Sequence, residues 1–423
     1  MKPVRSRHAP QLGPYRVEGR FGRGGMSRTF RCTRADAGDD APFVLVKTLE
    51  PERADDDSFL EMFLDEAKLS MRLQHRNIAR VFEVGEQDGV PWLAMEYVAG
   101  PNLAMVSRRL QGAPTRPYGH IARLLADAAR GLAHAHGLRD GVGAPLGIIH
   151  RDVSLGNVVV APDGTAKLID FGIAWWEHKA NQTADGLLKG KLHYMAPEQL
   201  RNAVDHRVDV YQAGVCLYWL TLGRPPVHHP DPVELWRKRL SGDFPAPTSL
   251  RDDYPPALEA IVLRALALDP DERYPDADEF ADALVAFCTQ PGPWRSTREE
   301  LGAWVRGLFS SAELGDFEAG AYELRATDVM LPSTAVLEQL EDLDSAAFVN
   351  LVDDAAVAAA VERIGAGATG GSGAAATPAS PTVPAADRGP SQRRGSGRAP
   401  RHAPTPPPAP WGLRRLLDAV MGR

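Results

Sequence analysis

The chain has 423 residues, 44% of them hydrophobic, with a formal net charge of −7, so it can bury one sizeable domain and still leave a long remainder. The acidic balance argues against a general nucleic-acid binder, and no apolar run approaches the roughly 18 residues of a membrane span. Cys32, Cys216 and Cys288 are too few and too scattered for a disulfide framework or a metal cluster, which points to a reducing cytoplasm. Residues 1–14 read as a flexible, basic N-terminus without the hydrophobic stretch of a secretion signal. Strand-like runs at 15–21 and 29–33 flank Phe21-Gly22-Arg23-Gly24-Gly25-Met26-Ser27, a turn whose glycines let backbone amides approach phosphate oxygens. Residues 43–47 form an apolar strand ending in Lys47, where a third antiparallel strand would place an ammonium under that turn. Residues 57–69 have helical spacing, with Phe59, Met62, Phe63 and Leu69 toward a core, and offer Glu61, Asp65 and Glu66 as acidic partners for Lys47. Two short apolar runs at 81–84 and 92–95 surround Gln87-Asp88-Gly89, a hairpin signal, and lead into Met95-Glu96-Tyr97-Val98.

Further along, 101–117 is a connection containing a short helix, and 121–138 is an apolar-striped helix. An interruption at 139–147 precedes His150-Arg151-Asp152-Val153-Ser154-Leu155-Gly156-Asn157, and Asp170-Phe171-Gly172 follows. Phosphoryl transfer from a nucleotide needs one carboxylate to receive the proton of the attacking hydroxyl and another to hold the metal that neutralises the phosphates. Asp152 and Asp170 occur in the order and spacing of a catalytic loop followed by a hairpin, with Asn157 five residues after Asp152. Helices are expected over 208–222, 232–240, 256–267 and 277–289.

Taken together, these segments resemble the protein kinase family, and more narrowly the bacterial serine/threonine kinases of the eukaryotic (Hanks) type, over residues 15–288. The resemblance implies an α+β fold with a β-rich N-lobe at 15–98 carrying one main helix and a helical C-lobe at 99–288. It implies ATP and magnesium, or manganese, as cofactors, and proteins carrying serine or threonine as substrates. In this reading Lys47 grips the α and β phosphates, Glu66 orients it, Asp170 and Asn157 coordinate the metal, and Asp152 aligns the substrate hydroxyl. Gly22, Gly24, Gly25, Ser27, Thr29 and Leu45 line the nucleotide, and Glu96 and Val98 present backbone groups to adenine with Met95 as gatekeeper. Ala196-Pro197-Glu198 closes the activation segment, Glu198 pairs with Arg273 as structural glue, and Asp209 accepts backbone hydrogen bonds from the catalytic loop.

Several positions depart from the family pattern. Ser27 replaces the third loop glycine, Thr29 the usual valine, and Leu45 the usual alanine, where its bulk bears on the adenine pocket. Ser154 and Lys191 stand where most serine/threonine kinases carry a lysine and a threonine, an apparent exchange in which Lys191 reaches back toward Asp152; a solvent-facing Lys191 that recognises acidic substrates is the alternative. Thr183 is the lone aliphatic hydroxyl between Gly172 and Ala196 and the candidate for autophosphorylation opposite Arg151. A nucleotide-binding pseudokinase and a small-molecule phosphotransferase are the competing readings. Beyond the kinase region, 289–363 is expected to be an acidic, partly helical linker. A Gly/Ala/Pro/Arg-rich stretch at 364–410 is too poor in apolar residues to order, and 411–423 is expected to be a short amphipathic helix for docking on a partner or a membrane surface.

Overall fold

The computed structural model describes residues 10–23, 27–38, 41–50, 57–171, 193–201, 204–229, 232–242 and 244–321. The small lobe is a six-stranded antiparallel sheet in the order β1-β2-β3-β4-β6-β5. Its strands are β1 (Gln11–Leu12), β2 (Tyr15–Arg23), β3 (Ser27–Arg34), β4 (Val44–Leu49), β5 (Val81–Gln87) and β6 (Val90–Glu96). Alternation along β4 sends Val44 and Val46 to one face, where Tyr15, Cys32, Trp92 and Ala94 pack. Leu45 and Leu49, on the same face as Lys47, join Phe63, Ala67, Val84, Leu93 and Met95 under helix α1 (Asp57–Arg72). Two register shifts in β2, at Val17/Gly19 and Arg20/Gly22, bend the strand just before the glycine turn.

The large lobe is mainly helical. Helix α2 (Leu103–Arg109), capped by the Asn102 side chain, leads to α3 (Tyr118–His136). A one-turn 3-10 helix at Leu155–Asn157 precedes the two-stranded pair β7 (Val158–Val160) and β8 (Ala166–Leu168). Then come α4 (Arg207–Leu222), α5 (Pro232–Ser241), α6 (Pro247–Leu250), α7 (Pro256–Ala265) and α8 (Ala277–Thr289). Helix α4 is buried on every side, including its polar residues Asp209 and Gln212, which marks it as the centre of the lobe.

Two stretches differ from the sequence-based expectation. Gln11–Leu12 lies in the segment expected to be flexible, yet pairs with Tyr15 and Arg16, because Gly13 at φ +55° reverses the chain. Past residue 288 the core continues into α9 (Arg298–Gly307) and α10 (Ser311–Glu318), whose Leu301, Val305 and Phe317, with Phe309 between them, belong to the large-lobe core. Arg298 makes two hydrogen bonds to Asp127 on α3, at 2.8 and 2.9 Å, and Asp127 also accepts the Ala166 N–H at 3.1 Å. The rest of the expected linker from 322, the stretch 364–410 and the segment 411–423 lie outside the described residues.

Candidate active site

β4 and α1 bring the first expected pair together. Lys47 Nζ lies 2.8 Å from Glu66 Oε1 and 3.5 Å from Asp170 Oδ1. Burial alone would lower the lysine pKa, but attraction to Asp170 and Glu66 outweighs it and holds the ammonium well above its ordinary value. Its charge is therefore permanent in the cleft at physiological pH. The competitors on α1 point away: Asp65 and Glu61 are exposed, and Asp65 pairs with Lys68 at 2.9 Å.

Beneath the loop that carries Asp152 sits Asp209, fully buried. It accepts the backbone N–H groups of His150 and Arg151 at 2.8 and 2.7 Å, and its Oδ2 lies 2.8 Å from the His136 ring nitrogen Nε2. Burial would raise this carboxyl, yet the hydrogen bond and charge of His136, with the charge and N–H of His150, hold it below the usual range. The anchoring has a local purpose. Arg151 adopts φ +63°, a left-handed conformation that costs a non-glycine residue about 1–3 kcal/mol, and the two bonds to Asp209 lock it there. One turn along α4, Gln212 accepts the Val153 N–H at 2.8 Å and donates to the Arg151 carbonyl at 3.0 Å and to Gln199 Oε1 at 3.1 Å. Gln199 in turn accepts the Ala196 N–H at 2.7 Å. These two buried amides tie the loop of Asp152 to the segment around Ala196-Pro197-Glu198. Sequence reading missed both, although a glutamine inside an otherwise apolar helix was the available signal.

Asn157 donates through Nδ2 to the Asp152 carbonyl and to Asp152 Oδ2, both at 2.9 Å, which fixes the orientation of that carboxylate. The Ile169 N–H bonds the Asn157 carbonyl at 3.0 Å and so seats Asp170 beside the same turn. Asp170 is itself left-handed at φ +52°, its side chain 47% exposed, while Phe171 is buried against the His150 ring at 4.5 Å between centroids. One accessible carboxylate and one nearby carboxamide form a hard-oxygen pair that fits a divalent ion sharing its remaining ligands with phosphates.

The roof and back wall are partly described. Gly22 and Thr29 are cross-strand partners at the foot of the glycine turn, and Thr29 also pairs with Lys47 while Ser27 pairs with Leu49. Leu45 is buried beside its cross-strand neighbour Met95. At residues 95–98, the hinge where the chain passes from the small lobe to the large one, the Glu96 N–H donates to the Arg80 carbonyl at 2.8 Å, and the Gly100 N–H donates to the Val98 carbonyl at 2.9 Å. The Glu96 carboxylate is occupied by Lys167 at 2.6 Å. Gly24, Gly25, Thr183 and Lys191 lie outside the described residues, and Ser154 is half-buried in an extended conformation. Glu198 and Arg273 meet in a bidentate ion pair at 2.5 and 2.9 Å, the guanidinium fully buried against the Tyr211 ring.

A profile of the protein kinase domain matches residues 15–283. Among curated proteins, the tyrosine-protein kinase MasK of Myxococcus xanthus is 38% identical over 300 residues, which cover 70% of this chain and 46% of MasK. The serine/threonine-protein kinase PknL of Mycobacterium tuberculosis is 33% identical over 311 residues, covering 71% of this chain and 74% of PknL. The chain thus spans about half the length of MasK and about three quarters of PknL. The crystal structure of the Mycobacterium tuberculosis PknI kinase domain superposes with a TM-score of 0.50 at 28% identity, covering 67% of this chain and 99% of that one. With this profile match, and with a β-rich small lobe over a helical large lobe, the chain belongs to the protein kinase domain family.

Proposed function

We propose that this protein transfers the γ-phosphate of ATP to serine and threonine hydroxyls of proteins, in the cytoplasm of a bacterium. The observation that carries the proposal is the meeting of Lys47, Glu66 and Asp170, three residues from separate elements that share one ammonium in a cleft between two lobes. Lys47 is placed to hold the α and β phosphates, with Glu66 keeping it aimed. Asp170 and Asn157 would hold magnesium, or manganese in its place, which when bound neutralises the phosphate oxygens and polarises the transferred group. Asp152, steadied by the Asn157 amide, orients the acceptor hydroxyl and takes up its proton. The Glu96 carbonyl would serve a purine as acceptor and the Val98 N–H as donor, the complement of an adenine edge. Gly22, Gly24, Gly25, Ser27, Thr29 and Leu45 complete the nucleotide site. Lys191 supplies the charge that Ser154 lacks, and Thr183 is the site of autophosphorylation.

Acceptor choice has a second reading, tyrosine. PknL is named a serine/threonine kinase and MasK a tyrosine kinase, and Ser154 replaces the lysine usual in the former class. The test is incubation of the full chain with labelled ATP, magnesium and a basic acceptor protein, followed by phosphoamino-acid analysis. Label on serine and threonine supports the proposal, and label on tyrosine supports the second reading. Thermal stabilisation by ATP without any label would overturn both. Asp152→Asn should abolish labelling while ATP still stabilises the protein; comparable turnover by that variant would remove Asp152 from its role.

A further inference from the structure

The segment after α8 crosses from the large lobe to the small one behind the hinge. On the large lobe it is held by the Arg298–Asp127 pair, by the Arg123 guanidinium on the Ser296 carbonyl at 2.7 Å, and by Arg109 of α2, which bonds Glu313 and lies over the Phe309 ring at 5.1 Å. Both helices begin in capping boxes, at Thr297/Glu300 and Ser310/Glu313, so each has a defined start and fixed entry angle. The end of α10 then reaches the hinge. The Tyr97 hydroxyl donates to the Phe317 carbonyl at 2.7 Å, and burial pushes this phenol up to about 12, so it remains a donor. Three residues further, Gly320 adopts φ +59° and lies so close to the small lobe that a Cβ there would sit 2.6 Å from Arg31 Cδ and 2.9 Å from the Phe43 ring.

Tyr97 lies between Glu96 and Val98, whose backbone groups face the proposed adenine site. Its ring is edge-on to Phe21 of β2, at 5.8 Å, and to Phe43 just before β4, at 6.3 Å. One side chain thus meets the strand that enters the glycine turn, the residue that leads into the strand carrying Lys47, and the returning C-terminal segment. The protein kinase profile ends at residue 283, so this segment lies beyond the range that the profile matches.

We propose that residues 309–320 form a hinge strap in which the Phe317 carbonyl, through Tyr97 as a positioning residue, sets the hinge backbone for adenine and thereby the nucleotide affinity. This rests on the proposed kinase reading. A strap of this kind acts on ATP binding rather than on phosphate transfer, so its signature is a change in Kd and KM for ATP with kcat preserved. Tyr97→Phe removes only the hydroxyl. It should raise the Kd and KM for ATP about three- to tenfold, the worth of one ordinary hydrogen bond, with kcat toward an acceptor protein within about twofold.

Gly320→Val adds atoms where Arg31 and Phe43 stand and should produce the same shift by pushing the strap away. The measurements are calorimetric ATP binding and steady-state kinetics on the full-length chain, with melting temperatures to establish that each variant is folded. If the unsubstituted protein binds ATP and phosphorylates protein while both folded variants keep its Kd, the strap is a structural tether only and the inference is wrong. Loss of kcat with unchanged Kd overturns it as well. If the unsubstituted chain binds no ATP, the kinase reading and the strap fall together.

Discussion

Arg273 has no exposed side-chain surface, yet it satisfies both oxygens of Glu198 and reaches the Ala267 and Leu268 carbonyls at 2.8 and 3.2 Å. Removing one member of a buried pair strands the other, so Arg273→Leu should lower stability by about 3–5 kcal/mol in urea unfolding. Burial, with the charges of Arg239 and His228 adding to it, pushes the His193 imidazole down to about 3. The unfolded chain takes up that proton near pH 6.5, so the contribution is absent above 6.5 and stability falls as pH drops from there toward 3, by up to about 1.4 kcal/mol per unit. His193→Leu should flatten the dependence of the urea midpoint on pH between 6.5 and 4.5; an unchanged slope would assign the acid sensitivity elsewhere. For Lys191→Met, turnover lost with every substrate is the expected result, and a loss confined to acidic peptides would make Lys191 a recognition residue instead. At this scale the sequence was most legible where chemistry dictates residue type. The meeting of Lys47 with Glu66 and Asp170 was readable because the family pattern allows few residue types at these positions, whereas spacing alone left Glu61 and Asp65 beside Glu66. Gln212 and Gln199 were not, since an amide has no fixed partner until backbone groups distant in sequence surround it.

Among the elements, the main strands of the sheet and helices α3, α4, α5, α7 and α8 were readable from periodicity, with ends shifted by at most three residues where fraying and caps decide. The paired strand before Tyr15 was hidden because two residues carry no period, and its pairing depends on the turn at Gly13. Helices α9 and α10 were read only as part of an acidic linker, for their buried residues are few among many charges. Their Thr-x-x-Glu and Ser-x-x-Glu starts were the local signal. Docking is close where this extension begins: a Cβ on Gly119 of α3 would stand 1.8 Å from the Trp294 carbonyl. Gly119→Ala should therefore force residues near 294 outward and cost about 1–3 kcal/mol, seen as a lower melting temperature. An unchanged melting temperature would show that the approach tolerates a methyl group.

For the whole molecule, the family match and the folded unit have different ends, residue 283 for the first and at least 318 for the second. A chain stopped at Thr289 would lose Leu301, Val305, Phe309 and Phe317, each worth about 1.5–3 kcal/mol when buried, and would expose the apolar surface they cover. It should melt far below the full protein or accumulate as aggregate; equal melting temperatures would show that α9 and α10 add nothing to the core. The Asp127 carboxylate is shared between the Arg298 guanidinium and the Ala166 N–H. The Ala166 amide, in the strand just before Asp170, is protected by a side chain that Arg298 itself holds in place. Deuterium uptake at that one amide therefore reports, from deep inside the large lobe, whether the returning C-terminal segment is seated or has lifted away.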